Sequence, residues 1–91
     1  MDENVLTDLL EELIEGFGVI IRYEAIKQDE NSVKVVGGLC LLKEEYVLIV
    51  NSNATLRERI NTLATALKHF DLDQVYMRPA VREFLERIPQ Q

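Results

Sequence analysis

An amphipathic helix in the middle of the chain constrains the fold more than any other feature. Within residues 53–70, apolar side chains recur at steps of three and four, which on a helix places them in one stripe. Thr55 and Glu58 have the spacing at which each side chain satisfies a free backbone amide at a helix start. We therefore predict a helix with one buried face. Its apolar stripe consists of Leu56, Ile60, Leu63, Ala64 and Leu67.

The flanking segments predict a second helix, three strands and a third helix. Residues 4–15 are amphipathic, with Asp2 or Asn4 as the helix cap. The β-branched and aromatic segments 17–26, 33–42 and 46–50 are predicted strands, the polar segment 27–32 is a loop, and 75–77 is a short extended piece. A last helix starts at Arg78-Pro79 and ends at Pro89. The expected fold is α+β, a single domain over residues 1–91: a helix, a three-stranded and mainly antiparallel sheet, then two helices packed on one face of it.

The second predicted strand carries two features with alternative interpretations. Gly37-Gly38 provides a bulge or sharp bend in the sheet, or it lets a ligand or a partner strand approach the backbone. Cys40 lies between leucines, so its expected role is that of a small buried apolar residue. The chain has one cysteine, so it cannot form an internal disulfide bond. Its one histidine lies in a different predicted element, so we do not predict a catalytic Cys-His pair.

Charge is distributed very unevenly along the chain. The net charge is −6, and six of the 16 acidic residues precede residue 17 without a basic residue among them, while ten basic residues match the other ten. This balance counts against nucleic-acid binding.

No apolar run has the ~20 residues of a membrane span and the N-terminus is not signal-like, so we expect a cytoplasmic protein. The acidic face with Glu11, Glu12 and Glu15 is a solvated surface or docks a basic partner or a second copy.

His69, Asp71 and Asp73 lie close together in the sequence and could hold a divalent ion through nitrogen and oxygen ligands. They are weak candidates, because structural zinc sites favour Cys and His and usually bring four ligands. The acid that a calcium loop needs nine residues after Asp73 is replaced by Arg82. The alternative places His69 near a helix C-terminus and the aspartates in a turn. We therefore expect no metal and no cofactor.

Arginines on the last two helices form the third candidate group. Some of them converge if the helices pack together, although interleaved glutamates neutralise much of their charge. We expect them to contact the acidic first helix, within the chain or between chains, and RNA binding is the weaker alternative. The candidates are Arg57, Arg59, Arg78, Arg82 and Arg87.

Residues 63–70, LATALKHF, resemble the Leu-Ala-His-Glu-Leu-Gly-His-Phe helix of ImmA/IrrE-like zinc metallopeptidases. Gly37-Gly38, the strand 47–51 and the segment 57–64 stand where that family has corresponding features, so the resemblance covers residues 37–70. The whole chain also resembles small bacterial proteins of similar length that have no known activity.

The metallopeptidase resemblance would imply a zinc-dependent peptidase, but the catalytic positions differ. In the His-Glu-x-x-His motif, two histidines bind zinc and the glutamate activates water. Thr65 replaces the first histidine, Ala66 replaces the glutamate, and only His69 matches. The third ligand of the family aligns with Arg78, which repels a cation. The resemblance therefore implies a degenerate core without catalysis.

We predict a non-catalytic α+β domain that serves as a protein-interaction or assembly module. The first alternative is a divergent metal-dependent hydrolase that uses His69 with Asp71, Asp73 or Glu83. The second is a small nucleic-acid-binding regulator that uses the arginines. Because a three-stranded sheet often covers an edge by pairing, a homodimer is also expected as a form of self-association.

Overall fold

The computed structural model describes residues 1–25 and 37–88, which form three helices and three strands in the predicted order. The α+β class is confirmed, as is the succession of one helix, a three-stranded sheet and two helices. The elements are α1 (Glu3–Gly16), β1 (Ile20–Glu24), β2 (Gly37–Leu42), β3 (Glu45–Asn51), α2 (Leu56–Leu67) and α3 (Pro79–Glu86).

Each helix starts with the chemistry that the sequence predicts. The Asp2 carboxylate accepts a hydrogen bond from the Asn4 backbone amide at 2.6 Å, so Asp2 is the cap of α1. Thr55 and Glu58 form a reciprocal capping box, with distances of 3.2 and 3.0 Å. Pro79 occupies the first turn of α3, where its missing amide costs nothing. These caps fix where α1 and α2 begin and therefore which of their faces turn inward.

The sheet is mixed, with the strand order β1-β3-β2. β2 and β3 form the expected antiparallel hairpin, whereas β1 and β3 run parallel. β3 takes the centre because its side chains are buried on both faces: Leu48 and Val50 are fully buried and Val47 is 7% exposed. Lys43 and Glu44 connect β2 to β3 with positive φ angles of 48° and 68°, as a two-residue hairpin turn of this twist requires.

α1 and α2 pack against the sheet face that carries Leu48 and Val50. Leu10, Ile14, Leu63 and Leu67 are fully buried there, and α3 adds Val81 and Leu85. Fully burying one such side chain contributes roughly 1.5–3 kcal/mol. The apolar stripes of all three helices, as read from the sequence, are thus the source of the core.

Several local expectations differ from the structure. Cys40 is exposed, so the prediction that it is buried was wrong. Leu39 packs against the core, and because successive side chains of a strand point to opposite faces, Cys40 points to the other face of the sheet. The first strand is shorter than predicted, and residues 75–77 form no strand. The predicted loop 27–32, the start of the second strand and the helix stop at Pro89 lie outside the described residues. Across the described part of the chain, no helix combines the length and apolar character that a membrane crossing requires.

Candidate functional site

Thr65, Ala66 and His69, which stand at the compared motif positions, line a groove between α2 and β2. Its volume is about 260 Å³, and we call it the α2–β2 groove. Ala66 is buried, Thr65 is half-buried and His69 is exposed at one end. Other lining residues are Gly37, Gly38, Leu39, Glu58, Asn61 and Thr62. The groove presents a hydroxyl, an amide and an imidazole to a bound molecule.

The candidate metal ligands do not come together. Among residues 1–25 and 37–88, no three His, Cys, Asp or Glu side chains form a group that could hold a metal ion. The Asp71 carboxylate accepts the backbone amide of Asp73 at 3.0 Å, as in the predicted turn. Glu58 is the carboxylate that lines the α2–β2 groove, and it accepts the Thr55 amide in the helix cap. The arrangement that the hydrolase alternative requires around His69 is therefore not present in the described residues.

The two adjacent glycines of β2 have different surroundings. A Cβ atom on Gly37 would overlap the Ile49 carbonyl oxygen and would lie 3.1 Å from the Thr62 methyl carbon. A Cβ atom on Gly38 would meet nothing within 4 Å. The ladder to β3 runs without interruption from Gly37 to Leu42, so there is no bulge in it. Gly37 therefore permits the close approach of β2 to β3 and α2, whereas the Cβ position of Gly38 faces open space among the described residues.

Two of the candidate arginines bind backbone carbonyl groups. Arg59 donates hydrogen bonds to the carbonyls of Ala54 at 3.1 Å and Ser52 at 2.7 Å, which holds the turn between β3 and α2. Arg82 donates to the carbonyls of Val75 at 2.7 Å and Leu72 at 3.4 Å, which holds the linker between α2 and α3. Both side chains are half-buried, so their first role is to fix irregular segments of backbone.

Within residues 1–25 and 37–88, one ion pair joins a candidate arginine to the acidic first helix. Arg57 Nε lies 3.7 Å from a carboxylate oxygen of Glu3. The Arg57 side chain is 84% exposed, so the pair contributes little to stability. Arg57, Arg59 and Arg82 thus have separate partners, and Arg78 lines a different groove.

Tyr23 is a site residue that the sequence analysis missed. Its hydroxyl donates a hydrogen bond to the Glu11 carboxylate, and the Arg59 guanidinium lies 5.8 Å from its ring centre. Burial, together with the negative charge of Glu11, raises the pKa of Tyr23 to about 12. Burial also raises the pKa of Glu11, against the lowering effect of the tyrosine hydrogen bond. The cluster links α1, β1 and α2, and the alternation of Val19, Ile21 and Tyr23 in the sequence is the signal that could have indicated it.

A second and larger groove lies between α1 and the segment that leads into α3. Its volume is about 430 Å³, and we call it the α1–α3 groove. The walls are mainly apolar and come from Leu9, Leu13, Phe17, Val75, Met77 and Val81. Glu12 and Arg78 also line it. Glu12 also belongs to a group of acidic side chains on the surface of α1, together with Asp8, Glu11 and Glu15. We call this group the acidic ridge.

Comparisons with protein-family models, with curated proteins and with solved structures find no match for this chain. The resemblance to ImmA/IrrE-like metallopeptidases therefore stays a prediction.

Proposed function

We propose that the protein is a non-catalytic interaction module that binds an extended segment of a partner protein along β2, beside the α2–β2 groove. The observation that carries this proposal is the position of β2. In the described sheet it pairs with β3 on one side and with no strand on the other, and Gly37, Gly38 and Leu39 line the groove. An outer strand with uncovered amide and carbonyl groups is a template for an added strand.

The composition of β2 supports strand addition. Its sequence, GGLCLL, contains no charged residue and no proline, and its register shows no bulge, although these are the usual features that protect an outer strand from pairing. Leu41 is 60% exposed and Leu42 is 51% exposed. A partner strand would gain backbone hydrogen bonds and apolar contacts at the same edge.

The chemistry of the α2–β2 groove supports binding rather than bond cleavage. We propose that the core is a degenerate form of the ImmA/IrrE-like metallopeptidase core, with a groove that has kept its shape. Thr65 is a poor zinc ligand and Ala66 cannot accept a proton, so neither a bound metal nor an activated water is expected at these positions. A peptide in this groove would be bound and released intact.

The other two functions have less support. A hydrolase would need carboxylates around His69, and a nucleic-acid-binding protein would need a basic surface. Arg59 and Arg82 donate to backbone carbonyls, and the acidic ridge covers one side of α1. We propose a protein partner, which includes a second copy of the chain joined through β2.

The proposal is tested by selecting peptides from a displayed random library against the purified protein and mapping their binding by NMR. We expect selected peptides to shift the backbone amide signals of Gly38 to Leu42. Leu41→Lys places a charge on the edge, and Asn61→Trp blocks the groove from an exposed position of α2. Both should weaken binding about tenfold or more.

Gln74→Trp is the matched control, because Gln74 is exposed and lines neither groove. It should leave peptide binding unchanged. Light scattering measures the molar mass of the protein alone. If the partner strand comes from a second copy, the wild type should be a dimer and Leu41→Lys a monomer. Peptides that map away from β2, together with a monomeric protein, would overturn the proposal.

A further inference from the structure

The α1–α3 groove has the form of a docking site for a helix. It is the larger of the two grooves, and apolar side chains of α1, of the linker and of α3 form its walls. Val5, Leu9 and Leu13 follow each other at steps of four on α1, so they form one row. Val5 is 44% exposed, which extends the apolar surface by one helical turn beyond the groove.

The acidic ridge runs directly beside that apolar row. Asp8, Glu12 and Glu15 form the neighbouring row of α1 at steps of four and three. Glu12 lines both the groove and the ridge, so the apolar and acidic surfaces are continuous. Arg78 is the positively charged residue among those that line the groove, and it comes from the segment opposite α1.

We propose that this surface binds a cationic amphipathic helix of another protein. Leucine-like side chains at positions i, i+4 and i+7 of that helix would enter the groove, and its lysine or arginine residues would lie along the acidic ridge. This is the helix-in-groove mode, with charge complementarity on the α1 side.

Charge also decides between a different protein and a second copy of this chain. In a symmetric dimer through this face, each copy would bring its own acidic ridge to the interface, with Arg78 as the one positive charge of the groove lining to offset it. Like charges in that position repel each other. The structure therefore favours a basic partner over self-association at this surface. The proposal is independent of the binding of an extended strand at β2.

The test uses a synthetic helical peptide of leucine and lysine with leucines at i, i+4 and i+7, and measures its affinity by isothermal titration calorimetry. A scrambled peptide of the same composition controls for non-specific charge attraction, and a leucine and glutamate peptide of the same pattern controls for the apolar contribution. We expect the patterned lysine peptide to bind best and to lose affinity as salt is raised. Equal affinity for the scrambled peptide would overturn the proposal.

Two substitutions locate the binding surface. Glu12→Lys reverses the charge at the rim and should weaken binding about tenfold. Glu45→Lys makes the same change in net charge at an exposed position in the sheet, and it should have little effect. Gly16→Trp should block the groove, because Gly16 lines it, and the fold should tolerate the change, because a Cβ atom there meets nothing within 4 Å. Gln74→Trp should leave the groove open, because Gln74 does not line it.

The melting temperature of each variant is compared with that of the wild type, so that weaker binding can be distinguished from unfolding. If Glu12→Lys and Glu45→Lys weaken binding equally, or if Gly16→Trp binds as tightly as the wild type, the proposed surface is wrong. Leu41→Lys should bind the helical peptide normally, which separates this proposal from the strand-binding function. A wild-type dimer that Glu12→Lys converts to monomers would also contradict it.

Discussion

The two grooves differ in the kind of chemistry they offer. The α2–β2 groove is formed by glycines, short polar side chains and the edge of a strand, while the α1–α3 groove is mainly apolar with charged residues at its margin. The first depends on how closely the backbone of β2 approaches α2. The second depends on a linker that Arg82 holds against the helices. A recognisable motif thus marks the smaller groove, and the larger groove has no motif at all.

The largest expected effect concerns the close packing that forms the α2–β2 groove. Gly37→Ala should lower the free energy of unfolding by about 2 kcal/mol or more, because the new methyl group overlaps the Ile49 carbonyl oxygen. Gly38→Ala is the matched control and should change it by less than about 0.5 kcal/mol, since its Cβ position is open. Urea unfolding measures both. Equal effects would show that Gly37 does not approach β3 and α2 as closely as described.

The α1–α3 groove is tested through the arginine that fixes its linker. Arg82→Met keeps the apolar stem but removes the hydrogen bonds to the carbonyls of Leu72 and Val75. We expect a loss of about 1–2 kcal/mol in the free energy of unfolding. Arg87→Met, at an exposed position of the chain after α3, should cost less than about 0.5 kcal/mol. If the two variants unfold alike in urea, Arg82 does not hold the linker.

A pair of glycines at the end of α1 separates helix propensity from backbone conformation. Gly16→Ala should raise the free energy of unfolding by a few tenths to about 1 kcal/mol, because alanine favours the helix and its methyl group has room. Gly18 has a φ of 82°, so Gly18→Ala should lower it by about 1 kcal/mol. Changes of the same sign in both variants would contradict the described backbone conformation at the end of α1, where Gly16 lines the α1–α3 groove.

The smallest expected effect is a pH dependence from the cluster of Glu11, Tyr23 and Arg59. The pKa of Tyr23 is raised from 10.0 to about 12, so the folded state holds this proton more tightly than the unfolded state. The resulting stability is complete below pH 10 and is lost as the pH rises towards 12. The melting temperature of Tyr23→Phe should therefore fall less steeply between pH 10 and pH 12 than that of the wild type. Tyr76→Phe, at an exposed position, should behave as the wild type.

The elements of the fold were largely predictable, because their signals are local. The capping box at Thr55 and the apolar stripes of the helices fix where α1 and α2 form and which sides they bury. The parallel pairing of β1 with β3 was not predictable, since it depends on the most apolar strand taking the centre of the sheet. The exposure of Cys40 follows from the same strand order, which places β2 at the outside.

The grooves were predictable only where a motif marked them. Thr65, Ala66 and His69 pointed to the α2–β2 groove through a resemblance. The α1–α3 groove joins Leu13 to Met77, which are far apart in the sequence, and one wall is a linker without regular structure. The roles of Arg59 and Arg82 were missed for a related reason, because carbonyl acceptors in turns leave no trace in the sequence.

We propose that β2, beside the α2–β2 groove, binds an extended segment without cleaving it. The most direct measurement incubates the protein with a selected peptide, with and without zinc, and records by mass spectrometry both the peptide mass and the hydrogen exchange of β2. We predict an intact peptide in both cases and slower exchange of the amides from Gly38 to Leu42. A peptide that is cut only with zinc, and that the His69→Ala variant no longer cuts, would show that the protein is a zinc-dependent peptidase instead.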